Sequence, residues 1–185
     1  LAWTVYCLAN SPDDMHIVKK EASELISKNI APHKWIDYAP HTRASFEEAM
    51  RLYPPAPTIS RAAISDVTWT APNGEKIDIE KNRTVLIMPW TIHRHESLWE
   101  KPREFRPQRF LPEPKKQLHR YQYIPFGAGP RVCLGAQFAM QEAIIILISM
   151  FKNRHFEYAS KTHPKPIQKL TIQPDRAISM RVNID

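Results

Sequence analysis

Prolines at positions 102, 107, 112, 114 and 125 punctuate one stretch of this 185-residue chain. Each proline fixes its own φ and removes a backbone donor, so neither a long helix nor a central strand can run through the segment. What remains is an extended, meandering connection. It is longer than structureless loops in compact domains usually are, and such segments are commonly functional.

The flanking sequence has more regular patterning. Residues 1–9 are apolar on most sides and read as the end of a buried helix. Asn10-Ser11-Pro12-Asp13 breaks it and starts the next, with Ser11 as N-cap and Pro12 at the first helical position. From Asp13 to about Lys28, Ile17, Val18, Leu25 and Ile26 mark an amphipathic helix. A shorter helix runs from about Thr42 to Leu52 and stops at Pro54 and Pro55. Between residues 58 and 93, the stretches 67–70 and 84–88, with Asn73-Gly74 between them, read as short antiparallel strands. A strong helix is expected from near Ala136 to about Lys152. The tail reads as a hairpin, strands near 169–173 and 178–183 turning at Pro174-Asp175-Arg176. The fold class is therefore mainly α with small antiparallel β-sheets.

Composition narrows the function. With 43% hydrophobic residues the chain can bury one modest core. The longest apolar run, residues 143–150, is too short to span a bilayer, so the segment reads as soluble and cytoplasmic. The two cysteines, Cys7 and Cys133, lie in unrelated settings, which suits a reducing compartment better than a disulfide. The net charge of +7 is scattered over the chain, and no nucleic-acid-binding motif accompanies it.

The chemistry concentrates in Phe126-Gly127-Ala128-Gly129-Pro130-Arg131-Val132-Cys133-Leu134-Gly135. Cys133 stands just before a helix, where the N-terminal end favours negative charge and suits a sulfur to bind metal or react. Gly127, Gly129 and Gly135 permit φ > 0 turns and close backbone approach to a large group. Arg131 could meet a carboxylate. A dinucleotide fingerprint fails, because Val132 takes the third glycine's place and Pro130 lacks an N–H. A zinc site fails for want of neighbouring ligands. A plain buried cysteine is the remaining alternative.

The run Phe-Gly-x-Gly-x-Arg-x-Cys-x-Gly resembles the haem-binding signature of the cytochromes P450, with every signature position filled. The resemblance extends over essentially the whole chain and is closer to soluble bacterial members. It implies haem b, with Cys133 as axial thiolate favouring O–O cleavage, Arg131 on a haem propionate, Phe126 near the sulfur, and Gly127, Gly129 and Gly135 admitting the porphyrin. Glu48-Ala49-Met50-Arg51, followed by Leu52-Tyr53-Pro54-Pro55, resembles the family's Glu-x-x-Arg. Phe105-Arg106-Pro107-Gln108-Arg109-Phe110 resembles its Pro-x-Arg-Phe, so Arg109 would join Glu48 and Arg51 in a buried triad. Glu100-Lys101-Pro102-Arg103 has the same Glu-to-Arg spacing, but Pro102 argues against a helix there. Arg61 falls where many members place a second propionate-binding arginine. The stretch from His93 to Trp99 fits the family's approach to the meander, and both His93 and His95 read as structural or surface residues rather than metal ligands.

The resemblance also sets the expected function. It implies a monooxygenase that inserts one atom of O2 into a small hydrophobic substrate, fed by a ferredoxin, flavodoxin or reductase. Lys115, Lys116, His119 and Arg120 would suit an acidic electron donor. Residues 56–59 and the turn at 174–176 would border the substrate. A peroxide-using haem-thiolate enzyme and a non-catalytic haem-binding piece are the alternatives. The chain is expected to be a C-terminal part, since it starts at Leu1 and the match begins after the family's oxygen-activating acid–threonine pair. Alone it is expected not to turn over substrate.

Overall fold

A computed structural model describes residues 1–184. Its longer helices are α1 (Ala2–Ala9), α2 (Pro12–Ser27), α4 (Pro40–Leu52) and α7 (Ala136–Phe151), with single-turn helices α3 (Trp35–Tyr38), α5 (Pro89–Ile92) and α6 (Pro112–Lys115) between them. Strands β1 (Ile59–Ala62), β2 (Val67–Thr70), β3 (Lys76–Ile79), β4 (Thr84–Ile87), β5 (Arg154–Tyr158), β6 (Pro166–Gln168), β7 (Ile172–Pro174) and β8 (Met180–Ile184) form four two-stranded antiparallel sheets. Among the described residues, no helix is long and apolar enough to cross a membrane.

The core is built where helical spacing puts apolar side chains on one face. In α7, Ile144, Leu147, Ile148 and Phe151 recur at the spacing of a single helix face, and all are fully buried. They pack with Val5 and Leu8 of α1, Phe46 and Met50 of α4, Phe156 of β5, and Met15, Val18, Ala22 and Leu25 of α2. Ile17, counted above among the residues marking the α2 face, instead stands more than one third exposed. Met15, one turn before Val18 and nearly in line with it, takes its place against the core. Ser11 does sit at the α2 N-cap position, but its hydroxyl donates to the Asp14 carboxylate (2.6 Å) rather than taking a backbone N–H.

Strand pairing differs from the simplest reading of the sequence. The Asn73-Gly74 turn joins β2 to β3, with Trp69 opposite Ile77, while the strand at 84–87 pairs with β1. The tail is not one hairpin either. β7 pairs with β6 and β8 pairs with β5, so the strands on either side of the 174–176 turn have different partners. Both errors have one cause. A local turn shows where strands end, but pairing across a longer loop depends on contacts that short, weakly alternating strands do not encode.

Helix α4 is the exception to amphipathic patterning. All but Pro40 and Arg43 of its residues are buried, including His41, Thr42, Ser45, Glu47, Glu48 and Arg51. Such a helix is stable only if its polar atoms find partners. At its N-terminus Glu21 of α2 accepts the backbone N–H groups of His41 and Thr42 and the Thr42 hydroxyl (2.8, 2.8 and 2.6 Å). Asp14 accepts from His41 Nε2 and from the Gln108 side-chain amide, both at 2.9 Å. Burial opposes ionisation of Asp14, but its hydrogen bonds to His41, Ser11 and Gln108 outweigh burial and hold its carboxyl below the usual range.

Candidate haem site and its support

The C-terminal half of α4 carries a dense, buried polar cluster. Glu48 and Arg51, both fully buried, face each other at i,i+3 and form a bidentate pair, with Nε to Oε2 at 2.7 Å and Nη2 to Oε1 at 2.8 Å. The remaining guanidinium hydrogens go to backbone carbonyls. Nη1 donates to His93 (2.6 Å) and Pro102 (2.7 Å), and Nη2 to Glu104 (3.1 Å). Glu48 Oε1 also accepts the Arg106 backbone N–H (2.9 Å) and Arg109 Nε (3.4 Å). Arg109 reaches on to the Lys101 carbonyl (3.0 Å). The sequence-identified residues Glu48, Arg51 and Arg109 are thus brought together, and the node gathers the backbone from 93 to 109 around one helix end. Glu100, from the similarly spaced Glu-to-Arg pair, bonds Arg106 at the surface (3.2 Å).

The backbone acceptors were not visible in the sequence. No pattern announces that the carbonyls of His93, Pro102 and Glu104 serve one guanidinium. The His93 ring is a second surprise. It is fully buried, and its Nε2 accepts the backbone N–H of Ile124 (2.9 Å), which leaves the proton of the neutral ring on Nδ1. Burial, together with the nearby Arg51 and Arg94 charges, pushes its pKa down to about 3. His95 lies at the surface, where its Nδ1 meets the Ser97 hydroxyl (2.7 Å).

From Ile124 the chain enters the cysteine loop. The Gly127 N–H donates to the Ile124 carbonyl (3.1 Å) and the Cys133 N–H to the Phe126 carbonyl (2.9 Å), closing the loop on itself. Gly127 and Gly129 both adopt φ of +74°, a conformation that side-chain-bearing residues avoid. Gly135 does not share this need, contrary to the sequence reading. Its φ is −83°, and a Cβ there would stand in ordinary contact with Cys133 Sγ at 4.0 Å. Phe126 is half-buried against the main core.

Both cysteines are free, but their settings are opposite. Cys7 is buried, and burial, reinforced by the Glu48 charge, pushes its thiol up. Cys133 is exposed three residues before α7 begins, flanked by exposed Val132, Leu134 and Phe138. Arg131, on a 3-10 turn at Gly129–Arg131, has no ion-pair partner among the described residues. Arg61 is exposed on β1, and its guanidinium donates to the Ser60 carbonyl (2.8 Å). It lines, with Ile59, Ile87, Ala128 and Gly129, a cleft of about 360 Å³ beside the loop.

This arrangement defines a class of site. Among the described residues, no three His, Cys, Asp or Glu side chains could share a metal with Cys133, so a metal there must bring its other donors with it. An apolar surround with uncommitted arginines suits a large, flat, apolar ligand bearing carboxylates. The residues therefore fit a metal macrocycle such as haem.

The chain belongs to the cytochrome P450 family, whose model matches residues 1–181. Cytochrome P450 4A14 of Rattus norvegicus is 30% identical over 98% of this chain and 35% of its own length. Cytochrome P450 3A16 of Mus musculus is 32% identical over 98% of this chain and 36% of its own length. A bifunctional cytochrome P450/NADPH–P450 reductase 2 of Bacillus subtilis (strain 168) is 34% identical over 95% of this chain and 16% of its own length. The chain spans about a third or less of the length of these relatives. The crystal structure of the cytochrome P450DA heme domain superposes with a TM-score of 0.88 at 28% identity, covering all of this chain and 40% of that one.

The low His93 pKa makes a test. Between about pH 6.5 and pH 3 an unfolded chain binds a proton at this histidine that the folded chain refuses, so stability falls as pH drops. We expect a slope approaching roughly 1.4 kcal/mol per pH unit in that window, flattened in His93→Gln. Denaturant titrations at stepped pH measure it, and equal slopes in the two proteins would contradict the assignment.

Proposed function

We propose that this chain supplies the proximal, iron-binding part of a haem-thiolate monooxygenase, with Cys133 as the axial ligand of haem b. The exposed thiol at a loop-to-helix junction, set among Val132, Leu134 and Phe138, carries the reading. Haem bound there would supply the activation of O2, one atom entering an organic substrate and the other leaving as water. Arg131 and Arg61, free of carboxylate partners, would hold the propionates, and Gly127 and Gly129 would let the backbone lie against the macrocycle. Pro55, just before residues 56–59, accepts the Ile172 N–H of β7 (3.1 Å), which brings that stretch toward the 174–176 turn and supports the two bordering a hydrophobic substrate.

Electrons would come from a ferredoxin, a flavodoxin or a reductase. The fused reductase in the name of the Bacillus relative supports the last of these. The basic cluster expected to receive an acidic donor is partly committed elsewhere. Lys115 pairs with Glu47 (2.5 Å) and Lys116 with Glu113 (2.6 Å), whereas His119 and Arg120 stand exposed. Arg120 is therefore the better docking cation. Its reversal, Arg120→Glu, should slow reduction by an acidic ferredoxin several-fold at low ionic strength and little at high salt. A rate unchanged at low salt would remove this face from consideration.

Ligation is tested most simply by absorption of the reduced carbon monoxide complex, which reports a thiolate on iron. In the full-length, haem-loaded protein, Cys133→Ser should abolish the thiolate band while Cys7→Ala keeps it. Retention of the band in Cys133→Ser would refute the ligand assignment.

A further inference from the structure

We infer that His93 is a positioning residue, whose imidazole ties the buried Glu48–Arg51 node to the backbone that carries Cys133. This rests on the reading of Cys133 as the haem ligand and adds to it a route by which the node acts on the loop.

The route is a continuous run of hydrogen bonds. Arg51 Nη1 holds the His93 carbonyl at 2.6 Å, fixing the backbone from which the ring projects. The ring's Nε2 accepts the Ile124 N–H at 2.9 Å. The Ile124 carbonyl accepts the Gly127 N–H at 3.1 Å, and the Phe126 carbonyl accepts the Cys133 N–H at 2.9 Å. Each link lies one or two residues from the next along the same backbone, so a displacement at Ile124 is passed to Cys133. Gly127 and Gly129 carry no side chains to pack, so the loop is held by its backbone hydrogen bonds, the first of which is to Ile124. Its placement therefore depends on where it is held at the start.

The ring is held on one side by the Ile124 N–H and on another by an aromatic neighbour, while its buried Nδ1 has no hydrogen-bond partner among the described residues. It is fully buried, tilted against Tyr123 with centroids 5.3 Å apart. Tyr123 is fixed in turn by its hydroxyl, which donates to the Glu47 carbonyl (2.9 Å), and by Phe110 at 4.5 Å. A neutral ring is also required, because a protonated one would present N–H to N–H at Ile124.

A residue that only fills space and one that supplies an acceptor differ in which replacement they tolerate. His93→Phe keeps the ring and loses the acceptor. His93→Gln loses the ring, and its amide oxygen can reach the Ile124 N–H. In the full-length, haem-loaded protein, His93→Phe should speed amide exchange at Ile124 by roughly tenfold or more. It should also cut the thiolate-ligated fraction of the reduced carbon monoxide complex several-fold. His93→Gln should stay near wild type on both counts. Phe156→Leu, a core change away from the loop, should lower stability without moving the thiolate fraction. The inference is overturned if His93→Phe keeps wild-type exchange and thiolate fraction, or if folded His93→Gln loses the band. Should His93→Phe not fold, His93→Gln decides alone. A wild-type protein without the thiolate band would instead sink the Cys133 assignment and this inference with it, whereas exchange at Ile124 reads the hydrogen bond whether or not haem is loaded.

Discussion

A salt bridge with no access to water organises this structure. Two charges taken out of solvent cost several kcal/mol each, and their mutual attraction repays that only when every remaining hydrogen is matched. Arg51 meets that condition with two bonds to Glu48 and three to backbone carbonyls. The carbonyls come from residues 93, 102 and 104, at the entry to the proline-rich segment, in irregular backbone that no helix or strand ladder pairs. The guanidinium does for the meander what strand pairing does for a sheet. It satisfies backbone acceptors, and in doing so it fixes where the chain runs.

Helix α4 can be buried with its polar residues because most of them find partners. Its N-terminus is tied down by Asp14 and Glu21 of α2, and its C-terminal half by the node. Around it the apolar faces of α1, α2 and α7 supply the non-directional part of the stability. The directional part positions the loop. Cys133 is held by its own backbone bond to Phe126, by the helix that follows it, and by the stretch from Ile124 that leads in.

Much of this could be read from the residues. Proline spacing revealed the meander, helical periodicity located α2, Pro54 and Pro55 marked the end of α4, and the glycine–arginine–cysteine run marked the loop that leads into α7. Glu48, Arg51 and Arg109 were identifiable as a group through the family resemblance, since Glu-to-Arg spacing alone also fits Glu100 and Arg103. Their backbone partners leave no pattern, and neither did the role of His93, whose sequence neighbours His95 and Glu96 lie at the surface. Strand partners were misassigned at both hairpins for the same reason, since pairing is a property of contacts distant along the chain. Lys115 and Lys116 looked available as surface charges until the structure placed Glu47 and Glu113 beside them.

Arg51 acts through its fork of donors and not merely through its charge. Arg51→Lys keeps the charge and gives up the bidentate geometry and most of the carbonyl contacts. Urea unfolding of the full-length protein measures the difference. A loss of about 3 kcal/mol or more is expected, the usual result of breaking a buried ion pair. A lysine variant within about 0.5 kcal/mol of wild type would contradict the account, because a point charge would then organise the meander as well as the fork does.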